Sequence, residues 1–129
     1  MKPTISNYRY ALLWALFILF ATIANTSTLE SLSLKSLFAF DKPIHALLFG
    51  IQAWLLLKAR LKTPFVSATK IIVFACIASA AFGILTEVLQ GWITTSRTFD
   101  FYDMLADILG CIIVGAWFWQ KRKRLTQQV

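Results

Sequence analysis

Four apolar runs divide the chain, and most of the charged residues lie in the gaps between them or near their ends. The runs cover residues 8–24, 43–61, 69–92 and 101–119. A membrane-spanning helix needs about 20 mostly apolar residues, and its backbone hydrogen bonds are made within the helix, as hydrocarbon requires. The runs lack the alternation of apolar and polar residues found in strands of membrane β-barrels. The pattern predicts an all-α membrane protein, a single four-helix bundle over residues 1–129.

The first run is the shortest, and it allows a second interpretation. A basic start at Lys2 and Arg9 followed by an apolar stretch is also typical of a secretory signal peptide. However, the apolar stretch begins with Tyr8 and Tyr10, and no small residue precedes Ala24 at the spacing of a cleavage site. A retained helix is therefore favoured. The connection 25–40, rich in Ser and Leu, is predicted to form a short helix at the membrane interface.

Composition agrees with a membrane protein, since 58% of the residues are hydrophobic and 15% are charged. A soluble domain would carry roughly a quarter charged residues. With four spans, both termini and the loop between the second and third spans lie on one side. That side has ten basic residues, and the other has only Lys35, Lys42 and Arg97. The positive-inside rule then places both termini in the cytoplasm. The net charge of +7 thus reflects orientation rather than binding to nucleic acid.

Carboxylates fall inside the apolar runs, and helical spacing predicts where they point. Residues three and four apart share a helix face, and small residues mark close helix contacts in membranes. The third run aligns Ser79, Gly83, Glu87 and Gln90 on one face. The fourth aligns Asp100, Asp103, Asp107 and Gly110, and the second places Asp41, His45 and Phe49 together. These faces should line the bundle near its extracytoplasmic end, flanked by an aromatic belt of Trp92, Phe99, Phe101 and Tyr102.

Ionisable groups that face the interior of a membrane bundle mark a candidate functional site. The alternative is an internal lock, in which Glu87, Asp103 and Asp107 pair with neighbouring cations. Acids outnumber cations at this end, however. The acids are Asp41, Glu87, Asp100, Asp103 and Asp107, and the cations are only Lys42, Arg97 and, if protonated, His45. Either a carboxyl is protonated or a cationic ligand completes the site. The candidate pocket comprises Asp41, Lys42, His45, Glu87, Gln90, Arg97, Asp100, Asp103 and Asp107.

Three stretches resemble the VanZ-like family of small membrane proteins: "DKPIHALLFG", "GILTEVLQ" and "SRTFDFYDMLADILG", within residues 41–110. The family pattern is Asp-Lys-x-x-His-x-x-x-Phe, then Glu-x-x-Gln, then Arg, Asp, Asp and Gly in order. This chain departs from it at Asp107, where the family usually has Asn. The resemblance implies a multi-pass protein of the bacterial cytoplasmic membrane that acts at the cell envelope. The namesake is associated with resistance to teicoplanin, a lipid-tailed glycopeptide antibiotic.

Two functions fit these residues. The first is binding, without turnover, of an envelope lipid, a cell-wall precursor or a lipidated glycopeptide, with Arg97 suited to phosphate or carboxylate. The second is a metal-dependent hydrolase or transferase acting on an envelope lipid, with a divalent metal at His45, Glu87, Asp103 and Asp107. His45 is the only histidine and no His-Glu-x-x-His motif occurs, so a non-enzymatic role is favoured. Proton transport ranks last, because the inner halves of the spans lack a chain of polar groups.

Small residues and cysteines within the spans are predicted to serve helix packing. Cys76 and Cys111 lie within spans and are predicted to be reduced packing residues. The pairs Ser79-x-x-x-Gly83 and Ala106-x-x-x-Gly110 predict close helix contacts within one chain, or between the chains of a homo-oligomer.

Overall fold

A computed structural model describes residues 5–23, 41–61, 67–93 and 100–126, and nearly all of them are helical. The helices are α1 (Ile5–Ile23), α2 (Asp41–Leu61), α3 (Ala68–Ile93) and α4 (Phe101–Thr126). The predicted all-α class is confirmed for this part of the chain. Helices α2, α3 and α4 contain segments long and apolar enough to cross a membrane. By length and composition, these three helices support a multi-pass membrane protein. The predicted interface helix in 25–40 lies outside the described residues.

Side-chain contacts show that successive helices run in opposite directions. At one end of the bundle, the Arg60 guanidinium on α2 donates to the Tyr8 hydroxyl on α1 at 3.3 Å. At the other end, the Gln90 amide on α3 donates to the Thr22 carbonyl at 2.9 Å. Helix α1 is therefore antiparallel to α2 and parallel to α3. Helix α4 contacts both α2 and α3 and runs parallel to α2, since Asp107 near its start contacts His45 near the start of α2, which completes an up-down-up-down bundle.

The two ends of this bundle differ in charge. The end at which α2 and α4 begin and α3 finishes carries the described acids Glu87, Asp100, Asp103 and Asp107, and is called the carboxylate end. The opposite, basic end carries Arg9, Lys58, Arg60, Lys70, Lys121, Arg122 and Lys123. The predicted separation of charge is thus present across the described helices. Helix α4 continues through the basic run to Thr126, since that run contains no Gly or Pro to end it.

The bundle has polar groups inside and large apolar groups outside. Buried polar or charged residues include Thr22, Gln52 and Ser79 as well as Glu87, Asp103 and Asp107. Large apolar side chains point outward along every helix, among them Leu16, Phe20, Leu47, Ile77 and Leu109. A soluble protein would expose little contiguous apolar surface. Hydrocarbon around the outward faces accounts for the arrangement.

Apolar packing fills the space between the polar groups. One cluster consists of Ile18, Phe49, Ala53 and Cys111, and joins α1, α2 and α4. A second, nearer the basic end, consists of Leu57, Ile71 and Ala75. Cys76 and Cys111 are both free thiols, and the Cys76 thiol donates to the Cys111 carbonyl at 3.3 Å. Phe49 is fully buried, and its ring stacks on that of His45 at the carboxylate end.

Glycine allows the closest helix approach in the bundle. A Cβ at Gly110 would overlap the carbonyl oxygen of Ala46 and lie 2.7 Å from its carbonyl carbon. Gly83 on α3 similarly faces Asp107 on α4, since a Cβ there would lie 2.7 Å from Oδ2. Both glycines of the predicted small-residue pairs therefore make contacts within one chain. Because these contacts flank Asp107 and His45, they set the spacing of the site.

Candidate functional site at the carboxylate end

Helices α3 and α4 turn the predicted polar faces toward each other. On α3, Ser79, Gly83, Glu87 and Gln90 are all buried, as their shared spacing predicts. On α4, Asp103, Asp107 and Gly110 are buried, while the side chain of Asp100, before the first turn, is 40% exposed. Helix α2 contributes His45, which is 3% exposed. The three helices that are long and apolar enough to span a membrane thus each supply one or more ionisable side chains to one buried cluster.

His45 lies at the centre of this cluster. Its Nδ1 is 3.0 Å from Asp107 Oδ1 and 3.7 Å from Glu87 Oε1, so one ring nitrogen faces two carboxylates. Its Nε2 faces Asp103 Oδ2 at 3.9 Å, which is beyond hydrogen-bonding distance. The ring also stacks on Phe49, whose centroid lies 6.4 Å away. Stacking and the Asp107 contact fix the imidazole orientation.

Glu87 is the least satisfied charged group among the described residues. It is 1% exposed, and neither carboxylate oxygen accepts a hydrogen bond from a described group. The backbone of Asp100 lies near enough to act electrostatically, but not in hydrogen-bonding geometry. An isolated buried carboxylate is costly unless a proton or a cation compensates it. The arrangement therefore calls for a positive partner beside Glu87.

An outer layer of charges closes the cluster at its exposed rim. The Lys42 ammonium donates to Asp103 Oδ1 at 3.3 Å and to Asp100 Oδ2 at 3.5 Å. Asp100 also caps α4, because its Oδ1 accepts from the backbone N–H of Tyr102 at 2.7 Å. That N–H, together with Lys42, holds the pKa of Asp100 below its usual value. Lys42 and Asp103 are thus one predicted pair of the internal lock, and they cover the buried acids rather than neutralise Glu87.

Other candidate residues take different positions. Gln90 is 3% exposed, and its amide reaches the Thr22 carbonyl of α1, so it joins helices beside the cluster. Arg97 and Phe99, together with the side chain of Asp41, lie outside the described residues. Trp92, Phe101 and Tyr102 are more than half exposed at this end. The described part of the predicted aromatic belt therefore lies where the sequence placed it.

Gln52 and Thr22 are buried polar residues that were not predicted from the sequence. Gln52 is 5% exposed, and its Oε1 accepts no hydrogen bond from a described group. It lies seven residues after His45, and this helical spacing would have placed it on the same face. Thr22 is 3% exposed and its hydroxyl bonds back to the Ile18 carbonyl at 2.8 Å, a local contact with no signal in the apolar pattern.

A groove on the outer side of the bundle begins at the same end. It encloses about 590 Å³ between α2 and α4, and its floor is the contact of Gly50 with Gly110. Its walls are almost wholly apolar and include Pro43, Leu47, Trp54, Ile113 and Trp117. Pro43 follows Lys42, so the polar rim and the mouth of the groove are adjacent. The groove has the dimensions and lining of a site for an extended apolar chain.

The cluster can hold a cation, and the rim with its groove can accept an amphiphile. Among the described residues, His45, Glu87 and Asp107 place one ligand atom each within 4.8 Å of one another. Asp103 is not part of that group. Comparison of the chain with models of known families, with characterised proteins and with solved structures gives no match.

Proposed function

We propose that this protein is a VanZ-like membrane protein that binds an amphiphile of the bacterial envelope without chemical turnover. The candidate ligands are an envelope lipid, a cell-wall precursor and a lipidated glycopeptide of the teicoplanin type. All three join an apolar chain to a head rich in hydroxyl, amine or phosphate groups. The motif resemblance within residues 41–110 supports the family, and the single observation that carries the function is the groove that opens beside a charged rim.

The groove would bind the apolar chain. Its lining between Pro43 and Trp117 lacks charged residues, and in a membrane it faces hydrocarbon. Exposed Leu47 and Ile113 stand on opposite walls, from α2 and α4. An apolar ligand chain held between them would replace contacts with mobile membrane lipids by contacts with fixed side chains. The groove would therefore favour a ligand whose head group is bound at the rim as well.

The rim would bind the head. Lys42 is half exposed, so its ammonium can donate to a phosphate or carboxylate while it still contacts Asp100. Asp100 can accept hydrogen bonds from amines and hydroxyls, and exposed Tyr102 offers an aromatic face next to both. Arg97 belongs to this proposal as a further anion contact.

Burial ranks binding above the enzymatic alternative. Glu87 and Asp107 are 1% and 0% exposed, and fully buried Phe49 stacks on their neighbour His45. The scissile bond of a lipid would have to reach this cluster, and the Lys42–Asp103 pair stands in the way. Hydrolysis or group transfer at these residues would require the rim to open.

The orientation in the membrane is part of the same proposal. The positive-inside rule places the basic end in the cytoplasm, with α1 as a fourth span. Helix α1 has 19 residues, and its outward face carries Leu13, Leu16 and Phe20. The carboxylate end would then face the outside of the cytoplasmic membrane, where cell-wall precursors and glycopeptides are found.

Native mass spectrometry of detergent-purified protein tests the binding proposal, with Ile113→Trp and Ile112→Trp as a matched pair. The two isoleucines are 57% and 56% exposed, but only Ile113 lines the groove. We expect a co-purified lipid adduct in the wild type and in Ile112→Trp, reduced at least tenfold in Ile113→Trp. Equal adducts in both variants, or none in the wild type extracted under mild conditions, would contradict the proposal.

A further inference from the structure

We propose that His45, Glu87 and Asp107 form a binding site for one divalent transition-metal ion, with one ligand from each of α2, α3 and α4. The three ligands differ from the residues that would hold an amphiphile in the rim and groove, and the site does not depend on amphiphile binding. Its ligand atoms would be His45 Nδ1, one oxygen of Glu87 and one oxygen of Asp107. Asp103, the fourth metal candidate from the sequence, would lie outside this set.

The separations of the ligand atoms suit a single ion. His45 Nδ1 lies 3.0 Å from Asp107 Oδ1 and 3.7 Å from Glu87 Oε1. Ligands at about 2.0–2.1 Å from a tetrahedral ion are separated by about 3.3 Å, which falls between these two values. Three ligand atoms already within 4.8 Å need only small side-chain rotations to converge.

The environment of Glu87 is the second observation that indicates a cation. Both of its oxygens lack a hydrogen-bond donor among the described residues, although the side chain is buried and its Oε1 faces His45 Nδ1. A structural ion pair would normally place an N–H or O–H donor against each buried oxygen. A bound metal ion would instead satisfy carboxylate oxygens that have no N–H or O–H donor.

Charge and ligand type narrow the class of ion. Two carboxylates and a neutral imidazole carry two negative charges, which a divalent cation balances. An imidazole with two carboxylates suits Zn²⁺ best and Mn²⁺ through its two carboxylates, whereas Ca²⁺ and Mg²⁺ favour oxygen alone. Asp107 makes this balance possible, because the neutral Asn of the resembled pattern would leave one carboxylate. The extra acid of this chain is therefore part of the site.

Asp103 would act as a positioning residue. Its Oδ2 faces His45 Nε2 at 3.9 Å, and its Oδ1 is held by Lys42 at 3.3 Å. Metal-bound histidines usually donate their other ring N–H to a carboxylate, which fixes the tautomer. A rotation of Asp103 would shorten the distance from its Oδ2 to His45 Nε2 and allow the Nε2–H to donate to it. Nδ1 would then be the ring nitrogen that binds the metal. The ion would then clamp three helices at the end where their packing is least apolar.

Metal binding to the EDTA-treated full chain tests the site directly. The protein, purified without a polyhistidine tag, is titrated with Zn²⁺ and with Mn²⁺ alone and the bound ion is counted. We expect one ion per chain and an increase of the thermal midpoint in detergent. Because His45 is the sole histidine, Mn²⁺ should also show nitrogen hyperfine coupling in pulsed electron paramagnetic resonance.

Three variants separate this site from nonspecific binding. Glu87→Gln should weaken affinity at least 100-fold while the apo protein remains folded, because the substitution removes an uncompensated charge. Asp103→Asn should weaken affinity about tenfold, as expected for a group behind a ligand. Asp100→Asn, which alters an exposed acid of the same end, should bind as the wild type does. Substoichiometric binding, absence of nitrogen coupling, or equal affinity in Glu87→Gln would each overturn the proposal and leave a protonated carboxyl as the partner of His45.

Discussion

Substitution of Gly110 by Ala tests how the bundle sets the geometry of its polar site. The new Cβ would overlap the Ala46 carbonyl oxygen and lie 2.7 and 2.9 Å from the carbonyl carbon and Cα of the same residue. All three atoms belong to the backbone of α2, so no side-chain rotation relieves the overlap. Helices α2 and α4 must separate.

The size of the separation follows from these distances. Carbon atoms in contact lie at least about 3.5 Å apart, so α4 must move at least about 0.8 Å away from α2, and the overlap with the carbonyl oxygen requires still more. A shift of that size would lengthen the 3.0 Å contact of His45 with Asp107 to nearly 4 Å, beyond hydrogen-bonding distance. Overpacking costs about 1–3 kcal/mol and a buried charged hydrogen bond about 1.5–3 kcal/mol. We therefore expect Gly110→Ala to lower the free energy of unfolding by about 3 kcal/mol or more.

Gly50→Ala is the matched control on the facing helix. Its Cβ would meet the Gly110 carbonyl oxygen at 3.3 Å and Val114 Cγ2 at 3.5 Å, which small movements can accommodate. Both substitutions gain helix propensity of about 1 kcal/mol, so the difference between them isolates the contact. Unfolding in mixed SDS micelles, followed by circular dichroism, gives both free energies. A difference below about 0.5 kcal/mol would refute the packing argument.

Two further predictions concern single contacts. Trp14→Phe removes the 3.0 Å hydrogen bond from the indole N–H to the Leu48 carbonyl and should lower the free energy of unfolding by about 1 kcal/mol. Trp92 is 84% exposed, so in the same micelle titration Trp92→Phe should change the free energy of unfolding by less than about 0.5 kcal/mol. Equal losses of this free energy in the two variants would contradict the role of the Trp14 hydrogen bond. Asp100→Asn keeps a residue type that caps helices but removes a carboxyl whose folded pKa is depressed. Wild-type stability should therefore fall relative to Asp100→Asn as pH decreases through that depressed pKa, below about 4, whereas parallel pH profiles would show no linkage.

Much of the architecture follows from spacing alone. The face shared by Gly83, Glu87 and Gln90 was predicted from intervals of three and four residues, and the structure buries all three. Hydrocarbon cannot solvate a carboxylate, so an acid within a span must turn toward other helices. The direction in which Glu87 points was therefore predictable. The same reasoning applies to Asp103 and Asp107 on α4.

Contacts that depend on the axial position of one helix relative to another could not be predicted from the sequence. Spacing places His45 and Asp107 near one end, but a shift of one residue along an axis moves a side chain by about 1.5 Å. The choice of Asp107 rather than Asp103 as the close partner of His45 depends on the contact of Gly110 with Ala46. The outer groove was missed for a similar reason, because Gly50 becomes its floor only once Gly110 packs against it.

The exposure of the carboxylate end to the outside of the cell is the central claim, and cysteine labelling tests it most directly. Trp92→Cys places a thiol at a site 84% exposed at that end, and Lys121→Cys places one on the exposed surface of the basic end. The parent chain, whose Cys76 and Cys111 lie within spans, serves as the blank. In intact spheroplasts, an impermeant maleimide should label Trp92→Cys and should label Lys121→Cys only after lysis. Labelling of Lys121→Cys before lysis, with Trp92→Cys protected, would contradict the orientation and the proposed envelope ligand together.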